Sequence, residues 1–161
     1  MKVSFDLDDT LFVDSSSVKS ESSLKFPFRH VYRENLRLGT PVIMQKIIDE
    51  GIELWIYTTS FRSERYIRSY FKKYGILINI HNIINGYRHN EEVQGKRNEI
   101  LPSKYPPRFR IDLHVDDDIS VKQNGDIYGF KVFLLKGNDD NWVTELWYNI
   151  MQIKKRLDKN T

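Results

Sequence analysis

Apolar positions recur along this chain with two spacings, and the spacings divide it into strands and helices. Alternation at Val3 and Phe5 predicts a short strand over Lys2 to Asp6. The run Ile52-Glu53-Leu54-Trp55-Ile56-Tyr57 is β-branched and aromatic and ends in Thr58-Thr59-Ser60, a second strand. Ile111 to Val115 and Phe130 to Leu135 predict two more, and Asn82 to Ile84 a weak one. Helical spacing fills the intervals. Thr40 reads as an N-cap with Pro41 at the first helical position, followed by Val42, Ile43, Ile47 and Ile48 on one face, and Gly51 ends that helix. Tyr66, Ile67, Tyr70 and Phe71 mark a helix over Ser63 to Tyr74, closed by Gly75. Glu91 to Leu101 predicts a helix stopped by Pro102, with Pro106-Pro107 opening a loop. Ile119 to Gln123 predicts a short helix with Asn124-Gly125 as its turn. Trp142, Leu146, Ile150, Ile153 and Leu157 lie on the apolar side of a terminal helix from about Asn141. Leu11 to Leu38 is irregular, Ser-rich at first and then basic and aromatic.

Strands that alternate with helices form βαβ units, so the sheet is expected to be mostly parallel with helices on both faces. The expected fold is α/β: a Rossmann-like three-layer α/β/α sandwich on a five-stranded sheet, with right-handed crossovers. In such sheets ligands gather beyond the carboxyl ends of the strands. Residues 6–9, 58–60 and 116–118 all fall at predicted strand ends, so three polar segments distant in sequence should converge on one edge.

Composition narrows the chemistry. The 161 residues fit one domain over 1–161. With no Cys, disulfides, zinc–thiolate sites and a Cys nucleophile are excluded. No apolar run approaches the roughly 18 residues that span a bilayer. The N-terminus turns acidic at Asp6, too early for a signal peptide, so a cytoplasmic location without membrane attachment is expected. The net charge of +3 is mild, but its distribution is not. Asp6, Asp8, Asp9, Asp116, Asp117 and Asp118 are six of the 22 acidic residues, in a chain with 25 Lys and Arg.

Asp6 and Asp8 stand two apart, which on extended backbone points both to one face roughly 7 Å apart. Carboxylates that close repel and need a cation or a shared proton. Hard oxygen ligands without a Cys or His set favour Mg²⁺. Asp9 or Asp118 could instead simply cap a helix. His114 reads as a packed or edge histidine, and His30, His81 and His89 share no metal-ligand spacing.

Phe5-Asp6-Leu7-Asp8-Asp9-Thr10-Leu11-Phe12 resembles the first motif of the haloacid dehalogenase (HAD) superfamily. Ile56-Tyr57-Thr58 resembles its second, and Leu113-His114-Val115-Asp116-Asp117 its fourth. The likeness runs from residue 2 to about 135. It implies a Mg²⁺-dependent phosphohydrolase that acts on a phosphomonoester through an aspartyl-phosphate. Asp6 would be the nucleophile and Asp8 the general acid and then base. Asp6, the Asp8 backbone carbonyl and Asp117 would hold the metal, with Asp116 a direct or more remote partner. Thr58 and the Thr59 N–H would bind phosphate, and Thr10 would brace the turn. The motif lysine is placed at Lys96, with Lys104 the alternative. A HAD-fold phosphotransferase, or a metal- or phospholigand-binding module without turnover, fits the same residues.

Family members often carry cap domains. Leu11 to Leu38 has room for a β-hairpin flap only, and Gly86 to Gly95 for less, so no large cap is expected. In the family an open site often goes with large substrates such as phosphoproteins or nucleic-acid ends, or with closure by a partner subunit. The segment Lys25 to Arg33 reads either as an anion-binding lip or as a surface loop anchored by Phe26 and Phe28.

Overall fold

A computed structural model describes residues 1–137 and 139–159. Lys2–Phe5 forms β1. The next strands are β2 (Phe12–Val13), β3 (Asn35–Leu36) and β4 (Glu53–Tyr57). They are followed by β5 (Ile83–Ile84), β6 (Leu113–Asp116) and β7 (Val132–Leu134). The helices are α1 (Phe28–Val31), α2 (Thr40–Asp49), α3 (Glu64–Lys73), α4 (Gly86–His89), α5 (Ile119–Tyr128) and α6 (Trp142–Lys159). The main sheet has five parallel strands in the order β5-β4-β1-β6-β7. The chain builds outward from β1 to β4 and β5, then returns to add β6 and β7 on the other side. The strand order therefore reverses at the β1/β6 boundary, where an open α/β sheet leaves a crevice beyond its carboxyl edge.

Strand alternation sorts the two faces. Val3, Phe5, Leu54, Ile56, Leu113 and Val115 pack against α2, α3 and α6 through Ile43, Ile47, Ile67, Phe71, Leu146 and Ile150. On the opposite face Trp55, Tyr57 and Ile84 meet Val93, Phe109 and Ile111. Val132 meets Val121 of α5 there. This is the three-layer arrangement expected from the βαβ pattern. Parity also puts Ser4 with Asp6, and His114 with Asp116, on that second face. Ser4 is the register partner of His114.

Several local expectations change. The N-cap of α2 is Gly39 at φ +88°, with Thr40 already helical. A Cβ on Gly39 would stand 2.6 Å from Val143 Cγ2, so the close approach of α6 decides this position rather than a side-chain cap. The Thr40 hydroxyl is buried without a hydrogen-bond partner among the described residues. The helix expected over Glu91 to Leu101 starts earlier, as α4, because the Asn85 side chain caps it by accepting from the Arg88 N–H. It continues as a π-helical turn over Asn90–Gln94 and stops at Gly95. Pro106–Phe109 is a 3-10 turn. The segment read as irregular contains the antiparallel pair β2/β3, with Phe12 opposite Leu36. No helix among the described residues is long and apolar enough to cross a membrane.

Asn124-Gly125 lies inside α5, which runs on to Tyr128 and ends at Gly129 in the left-handed region. Gly125 is there for space: a Cβ would meet the Phe130 carbonyl oxygen at 2.7 Å and Val132 Cγ2 at 3.0 Å. In an open helix Gly→Ala stabilises by up to about 1 kcal/mol. Here backbone must move, and Gly125→Ala should instead destabilise by about 1–3 kcal/mol in urea unfolding.

Candidate functional site

Two strand ends and one loop lysine build the site. Asp6 leaves β1 with its N–H donated to the Val115 carbonyl at 2.9 Å, which sets it beside the end of β6. Asp116 closes β6, and Asp117 follows it. Asp6, Asp116 and Asp117 each offer a carboxylate oxygen, and these oxygens lie within 4.8 Å of one another. Asp6 and Asp116 are buried, while Asp117 is partly exposed.

The cation among them is Lys104. Its ammonium lies 2.7 Å from Asp6 Oδ1 and 3.1 Å from Asp116 Oδ2, and the residue is only 3% exposed. Burial works against the charge of Lys104, but Asp6 and then Asp116 outweigh it and raise its pKa above the ordinary lysine value. Burial likewise opposes ionisation of Asp116. The hydrogen bond from His114, the Lys104 charge and the Asp118 N–H nonetheless hold that carboxyl well below its usual range. Asp6 goes the other way: burial pushes it up, Lys104 opposes, and the neighbouring Asp116 charge adds to the rise. One ammonium thus serves two of the three carboxyl groups, and burial together with the Asp116 charge raises Asp6 and Asp117 alike. A divalent cation among oxygen donors fits that balance.

The surrounding contacts leave room for it. Thr10 Oγ1 donates to Asp117 Oδ1 at 2.6 Å and accepts the Asp117 N–H at 3.1 Å, which orients this carboxylate. Asp6 Oδ2 and Asp117 Oδ2 accept no hydrogen bond from the described residues. Both Asp116 oxygens are engaged, Oδ1 by the Asp118 N–H and Oδ2 by Lys104 and His114. His114 is fully buried on an inner strand, and burial holds its pKa below the ordinary value. As neutral imidazole it serves both contacts, with Nε2–H donating to Asp116 at 2.9 Å and Nδ1 accepting from the Ser4 hydroxyl at 2.7 Å. It is a packed histidine that also orients a carboxylate. A cavity of about 390 Å³, lined by Asp9, Val13, Asp14, Asp117 and Lys136 among others, opens beside Asp117.

The remaining expected residues fall in different places. Asp8 is exposed, and its carboxylate turns to Arg62 Nη1 at 2.9 and 3.0 Å rather than into the three-acid cluster. Thr58 is buried at the end of β4, its hydroxyl accepting the Ser60 N–H at 3.1 Å, and Thr59 is exposed beside it. Lys96 is exposed on the turn after Gly95, and Lys104 is the lysine found between Asp6 and Asp116. The path of the chain between Gly95 and Pro106 decides this, and neither lysine has a local pattern that reveals it.

Two arginines were not anticipated. Arg62 holds Asp8 and also pairs through Nε with Glu34 at 3.0 Å. Arg37 is buried and donates to the carbonyls of Thr10 at 2.6 Å, Gly137 at 3.0 Å and Asp9 at 3.2 Å. It pins the turn in which Asp9 takes φ +61°. A basic residue just past the strand end at Thr58 was a usable sign for Arg62; a lone Arg between Leu36 and Leu38 was a weak one for Arg37.

Fold and site together define a parallel α/β protein with an aspartate triad at its strand-order reversal. No family model matches the sequence, and no curated protein matches it.

Lys104→Met strands buried carboxylates and should cost about 3–5 kcal/mol of stability in denaturant unfolding. Lys96→Met should stay within about 0.5 kcal/mol of wild type. Millimolar Mg²⁺ should raise the melting temperature of the wild-type protein, because binding to the native state alone stabilises it. Asp117→Asn should remove most of that shift.

Proposed function

We propose that the chain is a Mg²⁺-dependent phosphohydrolase that cleaves a phosphomonoester through an aspartyl-phosphate, as its resemblance to the HAD superfamily implies. The observation that carries this reading is Asp6 at the end of the central strand, with one oxygen on the Lys104 ammonium and the other unengaged, beside Asp116 and Asp117. In this reading one oxygen of the Asp6 carboxylate attacks phosphorus and the other stays with the cations of the site. The bond from phosphorus to the ester oxygen breaks, and Asp8 gives its proton to that leaving oxygen. Asp8 then takes a proton from water, the water oxygen attacks phosphorus, and the bond to Asp6 breaks to release inorganic phosphate.

Asp6 and Asp117, with the backbone carbonyl of Asp8, would hold the metal. It would screen the repulsion between carboxylate and phosphate. Asp116, whose oxygens already serve Lys104, His114 and the Asp118 N–H, supports the site from behind. The Thr59 N–H and the Thr58 hydroxyl would bind phosphate oxygens, and Lys104 rather than Lys96 would neutralise charge at the nucleophile. Arg62 sets where the Asp8 carboxylate stands.

Hydrolysis of an aryl phosphate with Mg²⁺ tests the reading. Wild type should turn over, a chelator should stop it, and Asp6→Asn should abolish it. Asp8→Asn should lower the rate by about 10²–10⁴-fold. Inactivity of wild type across nucleotides, sugar phosphates, phosphopeptides and phosphorylated oligonucleotides would overturn the enzyme. Activity that survives Asp6→Asn would overturn the nucleophile.

A further inference from the structure

The helix that follows Arg62 has three sides, and two are occupied. Ile67, Tyr70 and Phe71 face the sheet core. Tyr66 and Lys73 meet the segment between β2 and β3: Tyr32 lies 5.1 Å from the Tyr66 ring, and the Lys73 ammonium sits 3.7 Å over Phe28. The third side presents Arg65, Arg68 and Lys72, all exposed. With Ser69 and Ile80 they line a groove of about 240 Å³. None of the three forms an ion pair or side-chain hydrogen bond with another described residue.

Helix stability accounts for Lys72, a cation in the last turn, but not for Arg65. Arg65 stands in the first turn, where the helix dipole disfavours a cation. Arg65/Arg68 and Arg68/Lys72 are like-charge neighbours at three and four residues, which destabilises a helix slightly. Position does suggest a use. The helix begins two residues after Arg62, whose guanidinium touches Asp8, so the stripe starts three residues beyond a side chain bound to Asp8. It leads away for about 10 Å at 1.5 Å per residue. At the same end, Phe61 and Tyr87 form an exposed edge-to-face pair with ring centroids 4.7 Å apart. They are 56% and 65% exposed. Gly86 permits this packing, since a Cβ on it would lie 2.5 Å from the Thr59 carbonyl oxygen and 3.0 Å from the Phe61 ring.

We propose that Arg65, Arg68 and Lys72 form a track for the phosphodiester backbone of a single-stranded nucleic acid, with Phe61 and Tyr87 offering ring faces to its bases. A basic groove beside exposed aromatic rings is the arrangement that binds single strands without sequence preference. An acidic phosphopeptide would use the charges but leave the rings without a partner. The identity of the bound polymer as the substrate carrier rests on the hydrolase reading above; the track itself does not.

Anisotropy of fluorescein-labelled dT12, which has no phosphomonoester end, measures the track alone. Wild type should bind with strong salt dependence. The triple variant R65A/R68A/K72A should bind on the order of tenfold or more weakly, with the slope of log K against log salt reduced by about 2, near 0.7 per lost phosphate contact. Tyr87→Ala should weaken binding by about tenfold. Aryl phosphate turnover should be unchanged in the triple variant, while turnover of 5′- or 3′-phosphorylated dT12 falls. Absence of dT12 binding, an unchanged slope in the triple variant, or tighter binding of a phosphopeptide of equal charge would each overturn the track. Loss of dT12 binding in the variant of a protein without phosphatase activity would uphold the track and sink only the hydrolase reading.

Discussion

The buried ammonium of Lys104 between Asp6 and Asp116 is the interaction on which the architecture of this protein turns. Each of these groups would cost several kcal/mol to remove from water alone. Their attraction recovers that cost only because hydrogen bonds complete the set: His114 and the Asp118 N–H on Asp116, and Ser4 behind His114. Apolar residues of similar volume would commonly stabilise a core at least as well. A charged network held at this depth, at the edge where the strand order reverses, is better accounted for by chemistry than by stability.

Topology makes the network possible. The parallel register of β1 and β6 sets Ser4 beside His114, and period-two alternation then carries Asp6 and Asp116 onto the same face. Lys104 approaches from that face, ahead of the 3-10 turn that packs Phe109 on Tyr57 and Trp55. Two arginines hold the segment after β1 from different directions. Arg37 locks the backbone of Asp9 and Thr10 from just after β3, and Arg62 holds the Asp8 side chain from beyond β4. Thr10 in turn positions Asp117. The turn carrying the first acidic cluster is thus tied to three other parts of the chain.

Charge is divided between these layers. The acids concentrate at the sheet edge, where one lysine meets part of their demand, and basic residues dominate the outer face of α3. Arg62, paired with both Asp8 and Glu34, stands between the first acidic cluster and α3 in sequence.

Much of this architecture was legible in the residues. Alternating and helical periods identified β1, β4, β6, α2, α3 and α6, because burial of one face is written within a few neighbouring positions. Acidic clusters at predicted strand ends implied that Asp6, Asp116 and Asp117 would meet, since a parallel sheet gathers its carboxyl ends on one edge. Features set by contacts between distant segments were not legible. Gly125 looks like a turn residue until Phe130 and Val132 are seen against it. Thr40 looks like a cap until α6 is seen to crowd Gly39. Lys96 and Lys104 are equivalent as local sequence; only the folded path from Gly95 to Pro106 brings one of them between two carboxylates. The sequence by itself determined the order of elements and the residue types available at the sheet edge. The tertiary structure decided which side chains meet there, because a salt bridge depends on the relative position of elements a hundred residues apart, and no local period records it.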